Sequence, residues 1–369
     1  MILAAGAAFL GNLILIPLIL RFVRWRRWYD PTDHRKSHDG DISAMGGIGI
    51  FFSVLLAAMT TFLVFGVSLG NGSRWSYAAL AAGATIMHLS GVIDDLVNLR
   101  ALRKLVLQVV ASAVAIAGGW VIPGVACPIT GIELAFGAFA VPATLFWIVG
   151  ISNAMNLIDG IDGSAAVIAL CASLSFAALA LFGGADSAAI VALALAGATA
   201  AFLVFNAPPA RIFMGDGGSL FVGFSLALLA IGVPVSETRM VSIAVPVVLL
   251  AVPILDTAVA IGRRLMRRLP IHTPDREHLH HKLLATTRCG RRSLIVLAGL
   301  NVLLAIAATS YGVASGVWAV LLVLTALAAA GITYAHVHHL WSARAADSSR
   351  ENQKLQSASV GSGKCATFR

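Results

Sequence analysis

The sequence predicts an all-α fold: a polytopic membrane bundle of about eleven transmembrane helices, N-terminus periplasmic and C-terminus cytoplasmic. Three observations predict it. The 369 residues are 59% hydrophobic and only 12% charged, with mean hydropathy +0.88, whereas an ordinary soluble domain is roughly a quarter charged. Uncharged apolar runs recur along the chain, and most reach the ~20 residues a helix needs to cross hydrocarbon. The basic residues are sorted between the loops, 24 of the 26 falling after odd-numbered spans.

The expected spans cover residues 3–20, 45–67, 76–93, 105–122, 138–155, 163–182, 187–205, 218–235, 240–262, 293–311 and 317–335. The last uncharged run, 293–335, is long enough for two helices and divides at Tyr311 to Gly316. The first span is expected to stay in the mature protein, because no basic segment precedes it, its apolar run is long, and arginines follow it in place of small residues. Residues 1–342 then form one membrane-embedded domain with cytoplasmic loops at 21–44, 94–104, 156–163, 206–217 and 263–292. The tail, 343–369, is rich in Ser, Lys and Gln and is expected to be disordered.

Charge sets the orientation. Only Arg74 and Arg239 fall after even-numbered spans, so the positive-inside rule places the other loops in the cytoplasm. The formal charge of +9 does not point to nucleic acid, since it is spread over short loops and not over one face of a soluble module. Cys127, Cys171, Cys289 and Cys365 show no CxxC spacing and suggest neither zinc nor a disulfide framework.

The same parity gathers the polar motifs on the cytoplasmic side. Asp94 and Asp95 end the third span, followed by Arg100, Arg103, Lys104 and Gln108. Alone, a paired aspartate reads as a solvated helix end, but carboxylates here can also bind Mg²⁺ or act as a base, and the cations after them can hold phosphate. Asn153, Asn156, Asp159 and Asp162 recur every three residues, which keeps them roughly on one helix face, and Gly160 and Gly163 permit close approach to a ligand. Helix caps do not need four such groups. Asn206, Pro208, Pro209, Arg211, Phe213 and Asp216 lead into the eighth span, where a helix N-terminus offers N–H groups to an anion, Asp216 offers oxygen to a hard cation, and Phe213 offers a ring to a base. His278, His280 and His281 sit in the longest cytoplasmic loop and, without a zinc-ligand pattern, read as phosphate contacts. His88 within the third span reads as a packed histidine, and His336, His338 and His339 as interface residues. A transporter would more often place ionisable groups at mid-membrane within inverted repeats, and none is detectable here.

In this order and at these places, the motifs resemble the family of polyprenyl-phosphate N-acetylhexosamine-1-phosphate transferases, over about residues 1–335. Arg35, Lys36, His38 and Gly40 leading to Gly46 and Gly47, and Asp275 and Arg276 before the histidines, complete the match. Ser43 stands where family members commonly carry proline, with Asp41 close by.

The resemblance implies transfer of a HexNAc-1-phosphate, GlcNAc-1-phosphate first, from its UDP-sugar to undecaprenyl or another polyprenyl phosphate, with release of UMP; direct displacement is the expected course, and a covalent phospho-enzyme stays open. Mg²⁺ is implied as cofactor, with Mn²⁺ as a substitute. Asp216 and Asn156 would hold the metal, Asp94 would act on the lipid phosphate with Asp95 beside it, and Asn156, Asp159, Asp162, Asn206 and Phe213 would contact the nucleotide-sugar. Lys104, His278, His280 and His281 would bind phosphate. The histidine motif looks like the GlcNAc branch of the family, while GalNAc, QuiNAc and FucNAc donors stay open. The implied setting is a bacterial inner membrane, with the site facing the cytoplasm at the first membrane step of envelope polysaccharide synthesis. Membrane lipid is the surrounding partner, and a homodimer is compatible with it.

Overall fold

The computed structural model describes residues 1–26, 42–65, 74–126, 132–233, 244–270, 277–314 and 317–362. Arg35, Lys36, His38, Gly40, Asp41, His272, Asp275 and Arg276 lie outside the described residues.

The chain is a helical bundle in the order α1 (Ile2–Arg26), α2 (Gly46–Phe65), α3 (Arg74–Val97), α4 (Ala101–Ala117), then α5 (Ala140–Ile158), α6 (Ser164–Phe182), α7 (Asp186–Asn206) and α8 (Gly215–Gly232). It continues through α9 (Ala244–Leu249), α10 (Ala251–Met266), α11 (Leu279–Thr287), α12 (Gly290–Val313) and α13 (Val317–Ser362). Among the described residues nine helices are long and apolar enough to cross a membrane, so the chain is a polytopic all-α membrane protein. The other two expected spans correspond to shorter elements. One is α4, of 17 residues.

The other was expected as one helix over 240–262 and is broken instead. α9 ends at Leu249, Leu250 adopts a non-helical conformation, and α10 begins at Ala251. The cause is Pro253, whose missing N–H leaves the Leu249 carbonyl without its usual helical partner.

Two further differences concern the connections. A short antiparallel pair, β1 (Gly124–Ala126) and β2 (Glu133–Ala135), lies between α4 and α5 where only a loop was expected. α13 continues as helix to Ser362, through the stretch expected to be disordered; its run of Ala343, Ala345, Ala346, Glu351, Gln353, Lys354 and Leu355 consists of strong helix formers.

α6, α7 and α8 are the most enclosed helices, and α1 and α13 the least. Small residues make this possible. Gly197 of α7 lies against the Ala5 carbonyl of α1, where a Cβ would overlap it, and such close approach is how helices associate without a hydrophobic driving force in lipid. Asn12, buried in α1, donates to the Ala198 carbonyl of α7 at 2.8 Å. The outward residues Leu10, Ile14 and Leu18 are exposed, as a lipid-facing stripe should be.

The same close packing fixes the end of the bundle that carries the motifs. A Cβ on Gly47 would overlap the backbone of Gly218, and one on Gly91 would overlap the Asp216 carbonyl. α2, α3 and α8 therefore meet backbone to backbone at the start of α8. The Ser43–Gly47 segment runs beside residues 213–214, with Phe213 donating to the Ser43 carbonyl at 2.8 Å, Gly46 to Phe213 at 3.0 Å and Gly47 to Met214 at 2.9 Å. Ser43 Oγ accepts the Met45 N–H at 3.3 Å, so this residue caps its own turn. His88 is a packed histidine as expected, stacked on Phe51 at 4.3 Å with Nδ1 2.9 Å from the Gly217 carbonyl.

Candidate active site

The ends of α3, α5 and α7 and the starts of α4, α8 and α11 bring the motifs together. Lys104 on α4 is the joint. Its ammonium pairs with Asp94 at 2.9 Å and makes a short ion pair with Asp216, all three side chains being largely buried. Asn156 on α5 donates from Nδ2 to Asp216 Oδ1 at 2.8 Å and to Ser219 Oγ at 2.9 Å. Asp94, Lys104, Asn156 and Asp216, separated by up to 122 positions in the chain, thus form one connected polar cluster.

Asp95 faces a different way. Its Oδ1 accepts the Asp216 N–H at 2.8 Å and its Oδ2 the Gly217 N–H at 3.0 Å. This corrects one expectation: the first N–H groups of α8, expected to receive a substrate anion, already receive a protein carboxylate. Gly215 adopts φ +70 to make the turn into the helix, a conformation that suits glycine.

Asp159, at the end of α5, lies among Asp216, Asp95 and Asp162. Burial, then the neighbouring negative charges, push its carboxyl well above the usual carboxylate range. Such a concentration of carboxylates favours a cation. Among the described residues no three His, Cys, Asp or Glu side chains converge as a ready-made metal cage. Mg²⁺ does not need one, since it is usually held by one or two carboxylates together with substrate phosphate and water. The hard oxygens of Asp94 and Asp216 fit that mode, and the Lys104 ammonium already occupies a cation position between them.

Two predicted residues have internal partners. Asn206 is buried, accepting the Gly163 N–H at 2.9 Å and donating to the Ile212 carbonyl at 2.8 Å. Asp162 is buried and accepts the Ala210 N–H at 2.9 Å. Both therefore tie the Asp159–Gly163 turn to the loop that carries Phe213. Phe213 is half-buried in that loop.

The histidines come close through Gly160. The ring of His280 fills the space a Cβ at Gly160 would take, which is a reason for glycine at that position. His280 lies parallel to His278 at 5.6 Å between centroids and 4.2 Å from His281, which is exposed. Burial, then the charge of His281, lowers His280 to about 3, so its imidazole is neutral at physiological pH.

The glycosyl transferase family 4 profile matches residues 77–233, the stretch that contains Asp94, Lys104, Asn156, Asp159 and Asp216. The chain is 33% identical over 307 residues, 83% of its own length and 84% of the relative's, to the probable undecaprenyl-phosphate N-acetylglucosaminyl 1-phosphate transferase of Bacillus subtilis. The chain belongs to glycosyl transferase family 4. It is also 32% identical over 291 residues to the decaprenyl-phosphate N-acetylglucosaminephosphotransferase of Mycobacterium tuberculosis, covering 71% of this chain and 70% of that one. With the phospho-N-acetylmuramoyl-pentapeptide-transferase of Heliobacterium modesticaldum it shares 33% identity over 294 residues, 73% of this chain and 86% of the relative.

Further residues of this family 4 site have partners that spacing does not show. Gln108 and Asn153 form a reciprocal amide pair, Asn153 Nδ2 donating at 2.7 Å and Gln108 Nε2 at 3.3 Å, which joins α4 to α5 beside the cluster. Asp256 on α10 meets His278, with Oδ2 2.9 Å from Nδ1. It is the one acidic residue of the 240–262 run, and an ionisable group inside an apolar span is a functional signal. α13 holds the far side of α11: Lys282 lies over the rings of Trp341 and Tyr334 at 5.1 and 5.7 Å, and Arg344 donates to the Ala285 and Thr286 carbonyls at 2.7 Å.

Proposed function

We propose that the chain transfers GlcNAc-1-phosphate from UDP-GlcNAc to a polyprenyl phosphate, leaving polyprenyl diphosphate GlcNAc and UMP. The observation that carries this reading is the Lys104 bridge between Asp94 and Asp216, a cationic centre set in carboxylates at the edge of a membrane bundle. The names of the relatives in Bacillus subtilis and Mycobacterium tuberculosis support the same acceptor class and donor sugar.

In the reaction, a phosphate oxygen of the lipid forms a bond to the β-phosphorus of UDP-GlcNAc as the bond to UMP breaks. The nucleophile is already mostly ionised, so the larger task is to neutralise the charge gathered between two phosphorylated substrates. Lys104 supplies one fixed positive charge, and Asp94 and Asn156 orient the groups around it. Mg²⁺, held through Asp216 and Asp94, would add Lewis-acid neutralisation of the diphosphate. Phe213 would stack its ring on uracil, and His281, exposed at the start of α11, would meet phosphate.

Eleven crossings, counting α4 and the α9–α10 pair, with the C-terminus in the cytoplasm of a bacterial inner membrane, agree with the sorting of basic residues. The test is incubation of the purified protein with Mg²⁺, polyprenyl phosphate and labelled UDP-GlcNAc, UDP-GalNAc or UDP-MurNAc-pentapeptide. Lipid-linked product with UMP from UDP-GlcNAc alone is expected. Product from another donor in its place would overturn the donor assignment.

A further inference from the structure

Asp256 is 1% exposed, on the helix that follows the break at Leu250. A carboxylate so deep in an apolar run is costly unless its oxygens are satisfied, and both are taken by the start of α11. Oδ1 accepts the Leu279 N–H at 2.7 Å, and Oδ2 lies 2.9 Å from His278 Nδ1. An ionised carboxylate can only accept, so this contact places the ring hydrogen on Nδ1 and leaves Nε2 as the atom His278 can offer elsewhere. The ring so fixed lies parallel to His280, and His280 packs onto Gly160 in the turn that carries Asp159 and Asp162. A chain of contacts therefore runs from Asp256 through two imidazoles to the carboxylate cluster.

We propose that Asp256 is a positioning residue of the transferase site, holding His278 with its hydrogen on Nδ1 so that Nε2, left without a hydrogen, accepts from an O–H or N–H group of the UDP-sugar. This rests on the transferase reading above. The competing role is a plain anchor that only caps α11 through Leu279.

Asp256→Asn separates the two roles. The amide keeps an oxygen for the Leu279 N–H, so an anchor would survive, but its NH₂ group faces His278 Nδ1 and imposes the other tautomer. The expected result is a loss of kcat of about 10- to 100-fold, the usual scale for partners that orient a functional imidazole, with KM for both substrates within about threefold. In a His278→Gln background, Asp256→Asn should add less than about twofold, and Asp256→Glu should recover part of the loss. In parallel, ¹⁵N-histidine NMR of the detergent-solubilised protein, with His278 assigned from its absence in His278→Gln, should show Nδ1–H in the wild type and Nε2–H in Asp256→Asn.

Wild-type turnover in Asp256→Asn, or its full loss added on top of His278→Gln, overturns the proposal. If Asp256→Asn does not fold, the wild-type spectrum decides, and a hydrogen on Nε2 alone overturns it. A wild-type protein that forms no lipid-linked product overturns the transferase reading instead, a result read in a separate assay.

Discussion

Asp95, at the end of α3, caps the backbone of Asp216, at the start of α8, through an N–H···O bond of 2.8 Å. One turn earlier on α3, Gly91 lies against the Asp216 carbonyl with no room for a side chain. The position of Asp216 is thus set by its own backbone, gripped by α3. Gly91→Ala should push α8 away and cost about 1–3 kcal/mol by overpacking, with turnover falling more than about tenfold because Asp216 and Lys104 separate. Thermal unfolding and UMP release measure the two effects, and full turnover in this variant would show that the α3–α8 contact does not place Asp216.

Lys104 and a divalent cation would seek the same oxygens of Asp94 and Asp216. Lys104→Gln removes a charge that competes for those carboxylates and also one that can hold substrate phosphate. Turnover should fall about 100-fold or more, while the Mg²⁺ concentration for half-maximal binding should fall too, because the vacated carboxylates carry less compensated charge. Calorimetric Mg²⁺ titration in the presence of UMP checks the sign. A higher Mg²⁺ requirement in Lys104→Gln would mean that the lysine helps to assemble the metal site.

Acid should destabilise the fold through His280. Burial, then His281, holds its folded-state value at about 3 against an ordinary 6.5. Between those values the unfolded chain binds a proton that the native chain does not, so stability is full above about pH 6.5 and is lost as pH falls through the window, by about 1.4 kcal/mol per pH unit. The unfolding midpoint should drop between roughly pH 7 and 5, and His280→Gln should flatten that slope. An unchanged slope would assign the proton to another group.

How much of this was legible follows from what the solvent enforces. Lipid demands apolar runs of about 20 residues, so the long helices stand out in composition. The break at Leu250 needed the extra step of asking which carbonyl Pro253 leaves without a partner, and the three-residue strands at Gly124–Ala126 and Glu133–Ala135 are too short to show alternation. In the site, polar residues at the membrane edge announce themselves, but spacing cannot say which way a side chain points. Asn206 and Asp162 were found as polar groups near a ligand, yet each also binds backbone of the neighbouring turn or loop. Lys104 was legible as a cation, while its two carboxylate partners, one of them 112 positions away, were not.

Orientation can be read directly. Arg267→Cys in a background without native cysteines places a thiol in the loop after α10, where the basic residues are dense. It should resist an impermeant thiol reagent in intact cells and react once the membrane is opened. Labelling of intact cells would invert the topology and put the polar cluster on the outer face.

Asp216 is the residue on which the metal assignment depends most. It receives Asn156 on one oxygen and Lys104 on the other, so its charge already organises the cluster. Asp216→Asn keeps the shape and an oxygen for Asn156, and Lys104 retains Asp94 as a partner, so stability should fall by no more than about 2 kcal/mol. Turnover should be abolished, because a neutral amide is a poor ligand for a hard cation and cannot offset the charge of the lysine. A residue that only finished the first turn of α8 would behave otherwise, since asparagine serves a helix N-terminus about as well as aspartate. Measured at matched protein levels, ordinary Mg²⁺-dependent turnover in Asp216→Asn would exclude Asp216 as a metal ligand and leave Asp94 to carry that role.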